Sequence, residues 1–199
     1  MDVQYVGYLS FIREQNGTVH NRPFLIFLKF YGIIYIQLER RKCMPNMICL
    51  AGMPGVGKTT WARSFLKHHP EYHYFSPDLY YERINNDDCI RANTFEVWMA
   101  MFRDINTAMK AGKDVIVDSD NLTFHQRTQW IEWFPDFQHI LVFFEAPFET
   151  CFAQVKQRRR QLSLHTMAVK WEKWQRPTKE LDGKFWDKIY CGNYNTKEQ

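Results

Sequence analysis

The chain has 199 residues, of which 45% are hydrophobic and 24% charged, which suits one domain with a sizeable core plus a small appendage and excludes a disordered chain. Its net charge of +4 is unevenly placed: residues 46–150 hold nine Lys/Arg against fourteen acids, whereas residues 151–179 hold eight against one. One short segment is therefore strongly basic and the middle is acidic.

Residues 1–45 read as an N-terminal extension without assignable chemistry. Asn16-Gly17 is a turn dipeptide between two strand-like runs, VGYLSFI and PFLIFLKF, and Gly32 breaks the second run from IIYIQL. So short a segment hardly holds a core alone, so it packs on the main domain or is partly disordered. Arg40-Arg41-Lys42 reads as a solvated boundary. The apolar stretch 23–38 spans 16 residues and contains Lys29, short of the roughly 20 that cross a bilayer. Asp2, Arg13 and Glu14 argue against a signal peptide. No stable membrane association is expected. The five cysteines (Cys43, Cys49, Cys89, Cys151, Cys191) form no CxxC and read as buried thiols of a reducing, cytoplasmic compartment.

From Met47 the pattern alternates between strand and helix. Apolar runs predict strands at 47–52, 72–76, 114–118 and 139–146. Helices are predicted over 59–68, 91–110 and 126–133, and over a basic stretch at 148–174. In 91–110 the apolar positions Phe95, Trp98, Met99, Phe102, Ile105 and Met109 give the helical period. Short apolar strands separated by helices imply an α/β fold, a parallel sheet covered on both faces.

Between the first strand and first helix stands Gly52-Met53-Pro54-Gly55-Val56-Gly57-Lys58-Thr59, a complete GxxxxGK[ST], followed by Thr60. Its glycines let backbone N–H groups wrap phosphates, Lys58 brings positive charge to the β and γ phosphates, and Thr59 offers a Mg²⁺ ligand. The helix N-terminus adds a favourable dipole. Nucleotide binding follows from this loop in this context. The guanine-reading NKxD is absent, and the chain is short for a motor ATPase. A phosphoryl-transfer kinase with a basic lid fits better.

Asp78, in Ser76-Pro77-Asp78, follows the second strand, at the sheet edge where α/β folds place ligands. It reads either as the general base for an acceptor hydroxyl or as a cap of the next helix. Arg83 either holds an acceptor phosphate or lies on the surface. Asp118 ends the third strand, where a carboxylate holds a Mg²⁺-bound water or orients the site against substrate, and Asp120, two residues on, is a further candidate to touch substrate. Arg127 either touches substrate or braces this loop through an ion pair. In Lys156-Gln157-Arg158-Arg159-Arg160, Arg158 and Arg160 reach phosphates together only if the helix ends there, and Ser163 suggests a break. The alternative is a solvated charged face. Further on, Trp171 and Trp174 interleave with Lys170, Lys173 and Arg176, as a nucleic-acid platform or as core packing.

Together these pieces resemble the P-loop kinases of the polynucleotide 5′-hydroxyl kinase group from about Met47 to Phe185. GMPGVGKTT corresponds to the family's phosphate loop, Asp78 to its general base, VDSDNLTFHQR (117–127) to its VDATNLTxxxR element, CFAQVKQRRR (151–160) to its lid and WQRPT (174–178) to its FExPT stretch. Three positions depart from the pattern: Asp120 replaces a threonine, and Tyr81 and Gln154 stand where the family has arginines. The resemblance implies a kinase-type parallel sheet sandwiched between helices, with a helical lid, as a domain over 46–199. It implies ATP and Mg²⁺ as cofactors and a 5′-hydroxyl end of RNA or DNA as acceptor. Alternatives are a kinase of a nucleoside or other small hydroxyl compound, and a non-catalytic nucleotide-binding protein acting through a partner.

Overall fold

The computed structural model describes residues 44–87 and 89–192. The expectations for the extension, including the Asn16-Gly17 turn, lie outside these residues. Five strands form one sheet: β1 (Asn46–Ala51), β2 (His73–Phe75), β3 (Val115–Asp118), β4 (Gln138–Phe143) and β5 (Lys188–Cys191). They lie in the order β2-β3-β1-β4-β5, every neighbouring pair parallel. The helices are α1 (Lys58–His68), α2 (Pro77–Asn85), α3 (Thr94–Lys110), α4 (Phe124–Trp133), α5 (Phe148–Lys156) and α6 (Leu164–Lys173), with a 3₁₀ turn at Asp182–Lys184. None of these helices is long and apolar enough to cross a membrane.

Strand alternation divides the core into two layers. Met47, Cys49 and Ala51 of β1 face one side, with Val115, Val117, Leu141 and Phe143, and meet Val97, Met101 and Ile105 of α3 and Trp130 of α4. Ile48 and Leu50 face the other, with Ile116 and Val142, and meet Ala62 of α1, Cys151 and Val155 of α5 and Met167 of α6. The central strands are covered twice, which accounts for their unbroken apolar runs.

Two sequence expectations need correction. The buried stripe of α3 is Val97, Met101, Ile105 and Ala108, whereas Phe95 and Met99 are 76% and 51% exposed. The apolar residues of this helix outnumber the positions its core face offers, so the period alone misplaces the face. The cysteines are not all buried either: Cys49 and Cys151 are, but Cys191 is exposed on β5.

Local chemistry sets the helix starts around the site. Ser76 is the N-cap residue of α2 and Pro77 its first residue, a position that needs no N–H donor. Thr123 and Gln126 form a reciprocal capping box on α4. The basic stretch is broken, as Ser163 suggested: α5 ends at Lys156, and α6 starts again where the Ser163 hydroxyl accepts from the Thr166 N–H.

Candidate active site

A cavity of about 250 Å³ opens at the C-terminal ends of β1, β2 and β3. Its floor is the loop between β1 and α1. Gly57, at φ 104°, is the N-cap residue of α1, a conformation that strongly favours glycine. Gly55, at φ +87°, lies so close to the Cys151 carbonyl that a Cβ there would collide with it. The loop is thereby seated on the start of α5.

Lys58 is only 7% exposed. Its Nζ donates to the Gly52 carbonyl at 2.6 Å, the Met53 carbonyl at 3.1 Å and Asp120 Oδ1 at 3.2 Å. All three ammonium donors are thus in use, and a phosphate oxygen seated in the loop would take over at least one of them. Asp120 Oδ2 accepts from Lys170 Nζ of α6 at 2.7 Å. Asp120 lies in the cavity wall: burial works to raise its pKa, but the Lys58 and Lys170 charges outweigh burial and bring it down to about 2. Asp120, predicted to touch substrate, is therefore held between two lysines.

Asp118 ends β3 and is 6% exposed. Its Oδ2 accepts from the Thr59 hydroxyl and from the Tyr74 hydroxyl, both at 2.6 Å. Burial, together with the Asp118 charge, pushes the Tyr74 phenol far up, so it stays a donor. Nothing in the spacing of β2 singles out Tyr74. Next along, the Asn121 amide donates to the Leu50 carbonyl at 2.7 Å and accepts from the Trp130 indole N–H at 2.8 Å.

Arg127 is corrected from substrate contact to brace. It is 1% exposed and grips Asp182 with Nε at 2.7 Å and Nη2 at 3.2 Å. Its remaining nitrogen donates to the Gln175 carbonyl at 2.9 Å. This pairing ties the loop before α4 to the segment after α6, well away from solvent.

On the opposite wall Asp78 sits in the first turn of α2, with its side chain 52% exposed. No capping bond from it is seen. Instead Arg91 Nη2 reaches Asp78 Oδ1 at 2.5 Å and Arg160 Nη2 reaches the same oxygen at 3.5 Å. Asp78 Oδ2 takes no hydrogen bond among the described residues. Arg91, in the loop before α3, also lies over the Tyr81 ring at 4.1 Å. It was missed in the sequence because it lies thirteen residues from Asp78 with no spacing rule to join them.

Arg83 points elsewhere. It pairs with Asp104 of α3 at 3.3 Å, over the Tyr80 ring, and does not line the cavity. Five residues of helix, about 1.4 turns, rotate its side chain off the Asp78 face to the α2–α3 contact rather than the cavity.

The segment between α5 and α6 forms the remaining wall. Arg158 and Arg160 both line the cavity, which the helix end at Lys156 makes possible. Arg159 turns outward and meets Asp87 at 3.1 Å. Trp174 packs against both core layers, while Trp171 is partly exposed and meets Phe148 edge-on at 5.6 Å. Core and surface packing thus account for the tryptophans, and it is Lys170 beside them that reaches the cavity.

Thr59 and Asp118 are hard oxygen donors held together, the type that serves Mg²⁺ when phosphates and waters complete its shell. Backbone N–H groups at the start of α1 suit a phosphate chain. Cations stand on three sides: Lys58 below, Lys170 on one wall, Arg158 and Arg160 on another.

Among the solved structures that share this fold, three illustrate it. A chain of the Pnkp1/Rnl/Hen1 RNA repair complex superposes with a TM-score of 0.60 at 16% identity, over 71% of this chain and 46% of that one. The present chain thus spans less than half of that protein's length. Kti12 of Chaetomium thermophilum, in complex with ADP-AlF3, gives 0.59 at 16% identity, over 76% and 91%. A fungal RNA kinase gives 0.57 at 15% identity, over 78% of each chain. No curated protein sequence matches. The fold is the kinase-type P-loop α/β fold, and residues 47–182, well over half of the chain, match the AAA domain family model, so the chain belongs to that family of P-loop proteins.

Proposed function

We propose that this protein is an ATP-dependent kinase that transfers the γ-phosphate to the 5′-hydroxyl end of RNA or DNA, with residues 46–199 as its kinase domain. The observation that carries this reading is the sharing of one cavity by a phosphate-type floor and an outlying carboxylate, Asp78. In the reaction the acceptor oxygen bonds to the γ-phosphorus as its bond to the β–γ bridging oxygen breaks. Asp78 takes the hydroxyl proton, and ADP leaves. Lys58, Arg158 and Arg160 offset charge on the transferring group. Gly52 to Gly57, with Thr60 beyond, cradle the nucleotide. Thr59 and Asp118 would hold Mg²⁺, which when bound neutralises phosphate charge. Arg91 takes the acceptor-side position expected of Arg83.

A nucleic-acid acceptor is supported by the half-exposed position of Asp78 at the mouth, beside Arg91 and Arg160. The RNA repair and RNA kinase structures among those of similar fold agree with it. The buried thiols of Cys49 and Cys151, outside any disulfide, fit a reducing compartment such as the cytoplasm. A second reading, a kinase of a small alcohol, draws on the modest size of the cavity, about 250 Å³.

The test is incubation with γ-labelled ATP, Mg²⁺ and a panel of 5′-hydroxyl oligonucleotides, nucleosides and nucleotides at two salt concentrations. Label is expected on the oligonucleotides, with affinity falling as salt rises, by a logarithmic slope of about −0.7 per phosphate contacted on a single strand. Preference for a nucleoside with a flat salt response would select the second reading.

A further inference from the structure

Beside the phosphate cavity lies a second hollow, of about 390 Å³, between α3 and α4. Trp98 and Phe102 of α3 and Trp130 and Trp133 of α4 give it an aromatic wall. The rings hold one another: Phe102 and Trp133 are centred 4.8 Å apart, and Trp130 and Trp133 meet edge-on at 5.6 Å. Trp130 is fixed by its bond to Asn121, so the wall is preorganised. Trp133 nonetheless leaves 44% of its surface exposed.

The hollow also has a polar edge. Gln129 makes no hydrogen bond among the described residues, and Gln126 uses its amide oxygen in the capping box, which leaves the amide N–H groups as donors. The hollow and the phosphate cavity share Trp98, Ser119, Asp120 and Lys170 as a common wall. A ligand filling both is therefore planar and aromatic at one end, with hydrogen-bonding edges, and carries its hydroxyl at the other. A sugar or an aliphatic alcohol has no π-face to stack, whereas a nucleobase offers both a π-face and polar edges.

We propose that this hollow is the acceptor's base subsite, taking the nucleobase of the nucleotide that bears the reacting hydroxyl. That base stacks on the Trp98–Trp133 wall, with the Gln126 and Gln129 amides at its edge. The assignment rests on the nucleic-acid reading above and adds a base requirement to it.

The probe is a 5′-hydroxyl oligonucleotide with 2-aminopurine as its terminal base, titrated into the full chain, beside an oligonucleotide whose terminal position is abasic. Stacking should quench the fluorescence, and a saturating non-hydrolysable ATP analogue should not displace the base. The abasic oligonucleotide should bind about 5- to 150-fold more weakly. Trp133→Ala should impose a similar loss on the base-bearing strand alone, and Trp133→Phe should restore most of it. Gln129→Ala, a change at a half-buried side chain, should weaken the base-bearing strand in the same selective way and serves if Trp133→Ala does not fold.

Absence of quenching, equal affinity for the two strands or equal losses for both in the variants would overturn the proposal. Displacement by the ATP analogue would overturn it too, by assigning the hollow to the donor's adenine. Label transfer measured in parallel separates the two claims. Transfer without base dependence removes the subsite and leaves the kinase reading, whereas base-dependent binding without transfer removes the kinase reading and overturns the acceptor role, leaving a nucleobase-binding hollow.

Discussion

The two sides of the phosphate cavity are built differently. The proposed donor side is one continuous stretch, Gly52 to Thr59, backed by Asp118 and buried almost throughout. Its polar groups pair with one another, Lys58 with its own loop carbonyls and Thr59 with Asp118. The proposed acceptor side brings together Asp78, Arg91 and Arg160 from three separate segments, with the Asp78 side chain about half exposed. On the proposed function, phosphate recognition would thus rest on backbone and burial, which tolerate little change. Acceptor recognition would rest on surface ion pairs, each worth little in stability and readily exchanged for substrate contacts.

That contrast can be broken or sharpened by mutation. The largest effect is expected from Lys58→Ala, which removes charge aimed at the transferring phosphate: turnover should be abolished while nucleotide affinity, measured by calorimetry, falls less because the backbone cradle survives. Arg127→Ala leaves the Asp182 charge buried without its cation, which should cost about 3–5 kcal/mol of stability in denaturant unfolding. Arg158→Ala with Arg160→Ala should lower turnover by roughly 10²–10³ with little change in ATP binding or melting temperature. Equal losses in both would place these arginines on the donor side.

The smallest effect concerns Asp104, which anchors α2 through Tyr80 and Arg83. Partial burial raises its pKa, but the Tyr80 hydrogen bond and the Arg103 and Arg83 contacts outweigh it and hold the carboxyl below its ordinary value. A carboxyl so lowered adds stability above its ordinary pKa of 3.8, and that contribution is lost as pH falls through the lower folded value. Asp104→Asn should therefore be less stable than the parent at neutral pH, with the difference shrinking below about pH 4. A constant difference down to pH 2 would sever Asp104 from that ionic contact.

Legibility in the sequence follows the same division. Contiguous features were readable: the phosphate loop, the doubly covered strands and the break before Ser163 are each encoded in neighbouring residues. Strand β5 was not, because an edge strand of sequence Lys-Ile-Tyr-Cys is largely exposed and lacks an apolar run. Arg91 and Lys170 reach the cavity from distant segments, and only the packing of α2 on α3 and of α6 on the sheet brings them there. Arg83 and Arg127 show the converse, since their nearness in sequence to Asp78 and Asp118 did not carry their side chains to the cavity. One chose the α2–α3 contact and the other a buried carboxylate.

The central claim is that Asp78 accepts the acceptor's proton, and Asp78→Asn tests it most directly. The variant should bind ATP like the parent in calorimetry while transfer of label to a 5′-hydroxyl oligonucleotide falls by roughly 10²–10⁴. Intact ATP binding with unchanged transfer would contradict the account and leave Asp78 as no more than the partner of Arg91.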